Sequence, residues 1–139
     1  MVTVGYEGRS VDQFFEDLMK EGVARLVDVR QNAISRKAGF SKRALAAQCE
    51  QHGIDYVHRP ELGNPRENRD AYRAGSSASR ERYLRHIESC DETLHEIIRL
   101  LESRTVALLC FEADHEHCHR SLLAERIRAA APQVSVRHA

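Results

Sequence analysis

The sequence contains no hydrophobic run long enough to cross a membrane. Apolar stretches such as residues 23–29 and 106–110 fall far short of the ~20 residues that a transmembrane helix needs. The first ten residues, MVTVGYEGRS, lack the basic and apolar regions of a secretory signal peptide. We therefore expect a cytoplasmic protein that does not associate with a membrane.

An excess of charge of one sign is also absent. The 21 basic and 21 acidic side chains give a formal net charge of zero, so the composition indicates no broad surface for nucleic acid. Arginines are nevertheless locally enriched over the acidic residues Glu61, Glu67, Asp70 and Glu81, at Arg59, Arg66, Arg69, Arg73, Arg80, Arg82 and Arg85. Because only two aromatic residues lie nearby, a solvated arginine-rich surface is favoured over a nonenzymatic nucleic-acid-binding module, which stays open as an alternative.

Cysteine is too scarce for a disulfide scaffold. The chain has 139 residues and a mass of 15.9 kDa, and its only cysteines are Cys49, Cys90, Cys110 and Cys118. A reducing compartment would keep them as thiols, although a bond between Cys110 and Cys118 is geometrically possible. Cys49 and Cys90 fall on apolar helical stripes and are predicted to be structural.

Short apolar strands alternate with amphipathic helices along the chain. Ser10 and Gln13 have the spacing of a capping box before the first helix, and Ser41 is a candidate cap for the second. The predicted strands are residues 2–4, 23–29, 54–58 and 106–109, with a possible edge strand at 134–136. Two further helices are predicted at residues 80–103 and 118–131, whereas residues 60–79 are predicted to be a long irregular segment that covers a ligand pocket.

This alternation predicts a single α/β domain over residues 1–139. We expect a mainly parallel, Rossmann-like sheet of four to five strands with helices on both faces. Ligands bind such sheets outside the carboxyl ends of the strands. The polar or reactive residues predicted at those ends, and therefore the candidate ligand-binding residues, are Gly5, Tyr6, Asp28, Arg30, His58 and Glu112, together with Cys110. Asp28 and Arg30 share one face of a strand, so a simple ion pair between them is as good an interpretation as ligand contact.

The segment from residue 106 to residue 128 contains the strongest functional signal. Cys110 ends a strand, and Cys118, His119 and Arg120 open the next predicted helix. Unpaired N–H groups at a helix start favour a thiolate or a bound anion, and an arginine adds a fork-shaped donor for phosphate or carboxylate. A lone cysteine at a strand end is most often a core residue. Cys118 is harder to explain by packing, because two large polar residues follow it.

Four segments together resemble the prokaryotic domain of unknown function 488 family. They are TVGYEGRSVDQF, LVDVR, YVHRPELG and LLCFEADHEHCHR, which begin at residues 3, 26, 56 and 108. The family pattern is matched at Gly5, Asp28, Arg30, His58, Leu62, Gly63, Cys110, Glu112, Cys118, His119 and Arg120. Tyr6 stands where many members have histidine, so a role for that histidine does not carry over. The resemblance implies a possible active site at the cysteines and no established activity.

An enzyme acting on a small anionic or nucleotide-like ligand is the leading hypothesis. Cys110 or Cys118 would be the nucleophile and His119 the general acid or base, with Arg120 and Arg30 as an anion clamp. The loop between the two cysteines has no glycine and several acidic residues, which disfavours a backbone cradle for an anion. No motif indicates a substrate or an oligomeric state.

A zinc or iron site formed by Cys110, Cys118 and His119 is the alternative, with His58 or Asp28 as a further ligand. The spacing C-x7-C-H is not the paired C-x2-C of structural zinc sites. Adjacent residues on a helix also point about 100° apart, which argues against Cys118 and His119 binding one ion.

Overall fold

The computed structural model describes residues 1–139 and contains one sheet of five parallel strands. The strands are β1 (Val2–Gly5), β2 (Arg25–Asp28), β3 (Asp55–His58), β4 (Val106–Cys110) and β5 (Arg137–His138). Their order across the sheet is β3-β2-β4-β1-β5. The helices are α1 (Val11–Lys20), α2 (Lys42–Gln51), α3 (Arg69–Arg73), α4 (Ser77–Ile87), α5 (Asp91–Leu101) and α6 (Arg120–Ala130). None of them has the length and apolarity that crossing a membrane requires. The predicted α/β class with a parallel sheet is confirmed.

The helices cover both faces of the sheet because the strands are apolar on both sides. Ala107 and Leu109 of β4 pack with α1 and α2, which contribute Phe14, Phe15, Leu18, Leu45 and Cys49. Val106, Leu108 and Cys110 face the opposite layer, formed by α4, α5 and α6. Two apolar cores of 14 and 17 buried residues therefore sandwich the sheet.

The central strand β4 is the point at which the helical connections change face. The strands on either side of it, β1 and β2, lead into α1 and α2 on one face, whereas β4 leads into α6 on the other. Loops that leave adjacent strand ends in opposite directions open a crevice at the carboxyl edge. Cys110, the last residue of β4, lies at this crevice.

The starts of the first two helices, α1 and α2, agree with prediction, but only one of them is capped as expected. Ser10 and Gln13 form the reciprocal bonds of a capping box at α1. Ser41 stands at the start of α2 but makes no capping bond. Its hydroxyl instead donates to the carbonyl of Ser35 and accepts from the Ser35 N–H, which ties down the loop after β2.

Two predictions about the region between β3 and β4 are wrong. The segment 60–79 is not irregular, because two short 3₁₀ turns (Pro60–Leu62 and Arg66–Asn68), α3 and the start of α4 occupy it, and Leu62 and Tyr72 anchor it in the core. The single helix predicted at residues 80–103 is two helices, α4 and α5, separated by a 3₁₀ turn at Glu88–Cys90. The apolar stripe continues through the break, and neither glycine nor proline marks it. The edge strand also lies later than predicted, at β5.

Candidate functional site

A cleft of about 470 Å³ lies at the carboxyl edge of the sheet, within the range of small-molecule sites. Loops that follow all of the first four strands line it. The lining residues are Tyr6, Arg30, Gln31, Asn32, Ile34, Ser35, Arg36, Lys37, Asn64, Arg69, Tyr72, Arg73, Cys110, Phe111, Glu112, His117 and His119. Of the predicted site residues, Tyr6, Arg30, Cys110, Glu112 and His119 therefore line one cleft.

Gly5 has a steric role beside this cleft. A Cβ atom at Gly5 would overlap the carbonyl oxygen of Glu112, which crosses directly over it. Only glycine allows this approach of two backbones. Gly5 thus positions the loop after β4 and is not itself among the cleft-lining residues.

The loop after β4 brings Cys118 in before the helix begins. Helix α6 starts at Arg120 with His119 as its N-cap, so the predicted start at residue 118 is two residues too early. Cys118 lies in the preceding turn, where its N–H donates to the carbonyl of His115. The 100° argument against a shared ion was wrong because it assumed helical geometry at Cys118.

Cys110, Cys118 and His119 form a compact cluster at the floor of the cleft. One ligand-type atom from each lies within 4.8 Å of the others. The Nδ1 atom of His119 is 3.9 Å from the Cys110 sulfur and 3.8 Å from the Cys118 sulfur. Its Nε2 atom lies 3.3 Å from the carbonyl oxygen of Val29. If Nε2–H donates to that carbonyl, the Nδ1 lone pair faces both sulfurs.

Arg120 lies behind the cluster with only 1% of its surface exposed. Its Nε–H donates to the Cys118 sulfur over 3.1 Å, and Nη2 donates to the carbonyl of Glu112. Nη1 is buried without a partner, and no carboxylate is among the bonded groups. A buried guanidinium needs a compensating negative charge, and Cys118 as a thiolate can supply it.

The two thiols have opposite electrostatic environments, although neither forms a disulfide. Burial acts to raise the pKa of Cys118, but Cys110, His119 and Arg120 together lower it well below the ordinary value. The contact with Cys118, burial and the carboxylate of Glu112 raise the pKa of Cys110 well above its ordinary value. Of the two thiols, Cys118 is therefore the one whose surroundings favour the thiolate.

Glu112 joins the cluster to the cleft wall. Its Oε2 atom accepts a hydrogen bond from the Cys110 thiol at 3.1 Å, and its Oε1 atom accepts from Arg73 at 2.9 Å. Burial opposes ionisation of Glu112, but its own backbone N–H, Cys110 and Arg73 lower its pKa to about 2.

Asp28 and Arg30 form a separate, closed cluster. Arg30 donates to both carboxylate oxygens of Asp28, at 2.8 and 2.6 Å, and its Nη1 donates to the Tyr6 hydroxyl and the Phe40 carbonyl. The Tyr56 hydroxyl also donates to Asp28, at 2.6 Å. The interpretation as an ion pair holds. Arg30 also lines the cleft, whereas Arg120 does not, and the pairing of the two as an anion clamp stays a prediction.

His58 and Asp28 do not join the cysteine cluster, so neither is a further metal ligand here. The Nε2 atom of His58 lies 2.7 Å from the carbonyl oxygen of Arg30, where it supports the strand end. Neither residue lines the cleft. The sequence predicts that Cys110, Cys118, Arg120, Asp28 and His58 converge on one pocket, whereas the structure divides them between two neighbouring clusters.

Sequence reasoning missed the cations on the cleft walls. Arg36 and Lys37 come from the loop after β2, and Arg69 and Arg73 come from the segment for which a solvated arginine-rich surface was favoured. Their position in the sequence could have identified them, because both segments follow predicted strands at the carboxyl edge, where ligands bind. The buried Tyr72 hydroxyl, which has no partner, also belongs to a cleft-lining residue.

Comparison with known proteins gives one match. The family model described as "Domain of unknown function DUF488" matches residues 10–127. No curated protein and no solved structure matches the chain.

Proposed function

We propose, since the chain belongs to the DUF488 family, that it is a cytoplasmic thiol-dependent enzyme that acts on a small anionic ligand bound in the cleft. One observation carries this proposal: the walls of the cleft present cations, and its floor presents a thiol beside an imidazole. Glu112 is the only acidic residue that lines the cleft, and Arg73 is paired with it.

The charges and apolar surfaces of the cleft define the kind of ligand. Arg36 and Lys37 face the cleft from the loop after β2 and Arg69 from the start of α3, and fork-shaped guanidinium groups favour phosphate or carboxylate. Tyr6, Phe111 and Tyr72 add apolar surface. An anion that carries a planar or apolar part, such as a nucleotide-like molecule, matches this combination.

Cys110 is the sulfur placed to meet the ligand. It lines the cleft, whereas Cys118 is 1% exposed and lies outside the lining. In a nucleophilic step, the Cys110 proton would pass to the Nδ1 atom of His119. The sulfur would bond to the electrophilic centre of the ligand, and the leaving group would depart with the bonding electron pair. Arg120 and Cys118 would hold the imidazole and the loop in position.

Anion binding tests the proposal without knowledge of the substrate. Inorganic phosphate and adenosine 5′-monophosphate serve as probes, with binding followed by titration calorimetry and by backbone amide NMR shifts. We expect both to shift amides of the cleft loops. The double variant Arg36→Ala/Arg69→Ala should weaken binding about tenfold or more, because charged hydrogen bonds are lost.

Arg99→Ala is the matched control, because Arg99 is an exposed arginine on α5 that does not line the cleft. This variant should bind the probes as the unmodified protein does. Equal binding by the double variant, or no binding of either anion by the unmodified protein, would refute the anion site.

A further inference from the structure

We infer that Cys110, Cys118 and His119 bind one zinc-type divalent cation, with a fourth coordination position open to the cleft. The proposed ion lies in the same cleft as the proposed anion site. The inference rests on the proposed function only in that the anionic ligand would reach the open coordination position. With the ion bound, both cysteines are metal ligands. The reacting group would then be the water or ligand atom at the fourth coordination position. A metal site therefore differs from a free-thiol nucleophile, and metal-binding measurements can distinguish the two.

The distances fit an ion of this kind. Zinc binds thiolate sulfur at about 2.3 Å and imidazole nitrogen at about 2.0–2.1 Å, so tetrahedral geometry puts sulfur and nitrogen about 3.6 Å apart. The corresponding distances here are 3.9 Å for Cys110 and 3.8 Å for Cys118. A contraction of about 0.3 Å would bring both sulfur–nitrogen distances to that value.

The imidazole is oriented as a metal ligand would be. A histidine that binds metal through one ring nitrogen commonly donates the other N–H to a carbonyl, which fixes its tautomer. The contact of Nε2 with the Val29 carbonyl provides this arrangement for His119. The single Nδ1 lone pair then faces two sulfurs at nearly equal distances. A cation placed between these three atoms would contact all of them.

The surroundings also suit a reactive metal site. Arg120 donates to the Cys118 sulfur from the buried side, as an outer-shell group that stabilises thiolate charge. Cys110 and His119 both line the cleft, which leaves one side of the ion facing it. Two cysteines and one histidine with an open position is a ligand set known for catalytic zinc. Glu112 lines the cleft beside Cys110, whose thiol donates to its carboxylate.

The test uses the full chain purified without a metal-affinity tag. Elemental analysis measures its metal content, and Co²⁺ is then titrated into chelator-treated protein. We expect about one ion per chain and an intense sulfur-to-cobalt charge-transfer absorption. Excess Zn²⁺ should abolish this absorption. The Co²⁺ titration needs no variant, so it remains decisive even if a substitution prevents folding.

Variants locate the ion. Cys110→Ser, Cys118→Ser and His119→Ala should each weaken Zn²⁺ affinity at least 100-fold, because a direct ligand should cost at least as much as outer-shell groups do. Cys49→Ala and His95→Ala remove a thiol and an imidazole outside the cluster and should leave the affinity unchanged. No charge-transfer absorption, or Zn²⁺ binding by Cys110→Ser and Cys118→Ser as tight as that of the unmodified protein, would overturn the inference.

Phosphate binding separates this inference from the proposed function. If phosphate binds the metal-free protein and no Co²⁺ spectrum appears, the anion site stands and the metal site is refuted. If the Co²⁺ spectrum appears and phosphate binds neither form, the metal site stands and the anion cleft is refuted.

Discussion

Two buried arginines lie at the same edge of this sheet, and their partners differ in kind. Arg30 is held by both oxygens of Asp28, by Tyr6 and by a backbone carbonyl. Arg120 is more deeply buried, yet it contacts a sulfur and one carbonyl and has an unpartnered Nη1. A saturated ion pair stabilises a strand end, whereas Arg120 favours the charged form of Cys118 beside the cleft. We therefore regard the Asp28–Arg30 cluster as structural support and the cysteine cluster as the candidate functional site.

The largest effect should follow removal of the charge on Asp28. Asp28→Asn leaves the Arg30 guanidinium buried without a counter-charge, which costs about 3–5 kcal/mol. Asp55→Asn is the control, because Asp55 pairs with Arg25 and Arg104 at an exposed site, where such pairs are worth less than about 1 kcal/mol. Urea denaturation measures both. Similar small losses would show that Arg30 does not depend on Asp28.

The second arginine should respond to loss of its sulfur. Cys118→Ala removes the group that compensates Arg120, and we expect a cost of about 3 kcal/mol in the metal-free protein. Cys49→Ala is matched in chemistry and burial but has no arginine partner, so it should cost about 1–2 kcal/mol. Denaturant unfolding of both variants gives the comparison. Equal costs would mean that Cys118 is only a packing residue.

The backbone approach at Gly5 should matter less for stability than for the geometry of the cluster. Gly5→Ala forces the Glu112 carbonyl away, with an expected cost of about 1–3 kcal/mol and a loss of the Co²⁺ spectrum. Gly53→Ala also introduces strain, since Gly53 has a φ of +66°, but its Cβ would meet no atom. That control should keep the spectrum. Retention of an unchanged spectrum in Gly5→Ala would contradict the positioning role.

The smallest effect should be a pH dependence at His138, outside both arginine clusters. Burial, then the charges of His115 and Arg120, lower the pKa of His138 in the folded state. The unfolded chain therefore binds a proton more readily, so this contribution is present above about pH 6.5 and is lost as the pH falls. His138→Gln should flatten the decline in unfolding free energy between about pH 7 and pH 5. The same decline in unfolding free energy in the variant and the unmodified protein would show that His138 does not contribute to it.

Sequence patterns predicted the features that depend on neighbouring residues in the chain. The capping box at Ser10 and Gln13, the alternation of strands and helices and the strand-end location of Cys110 all follow from periodicity and spacing. Patterns could not show that Ser41 bonds to Ser35, or that α4 and α5 are separate helices, because long-range packing decides both. The same limit applies at Cys118. The direction of the Cys118 side chain depends on whether the residue lies in the helix or before it. The hydrogen bond from the Cys118 N–H to the carbonyl of His115 places it in a turn before the helix.

The cleft itself could be predicted in location but not in content. The carboxyl edge follows from a parallel sheet, and the resemblance added weight to the cysteines. The cations Arg36 and Arg69 lie 33 residues apart in sequence, and no local pattern shows that a loop and a helix start bring them to one cleft. Asp28 and Arg30 show the reverse case, because residues predicted as ligand contacts satisfy each other instead.

Charge-selective labelling of thiols tests most directly the central claim, that a cationic cleft delivers anions to Cys110. Metal-free protein is treated with iodoacetate, which is an anion, or with neutral iodoacetamide, and peptide mass spectrometry gives the labelling rate of each cysteine. The ratio of iodoacetate to iodoacetamide rates should be about tenfold higher at Cys110 than at Cys90, because a cationic cleft concentrates anions. Arg36→Ala/Arg69→Ala should reduce that preference. The same ratio at both cysteines, unchanged in the double variant, would contradict the account.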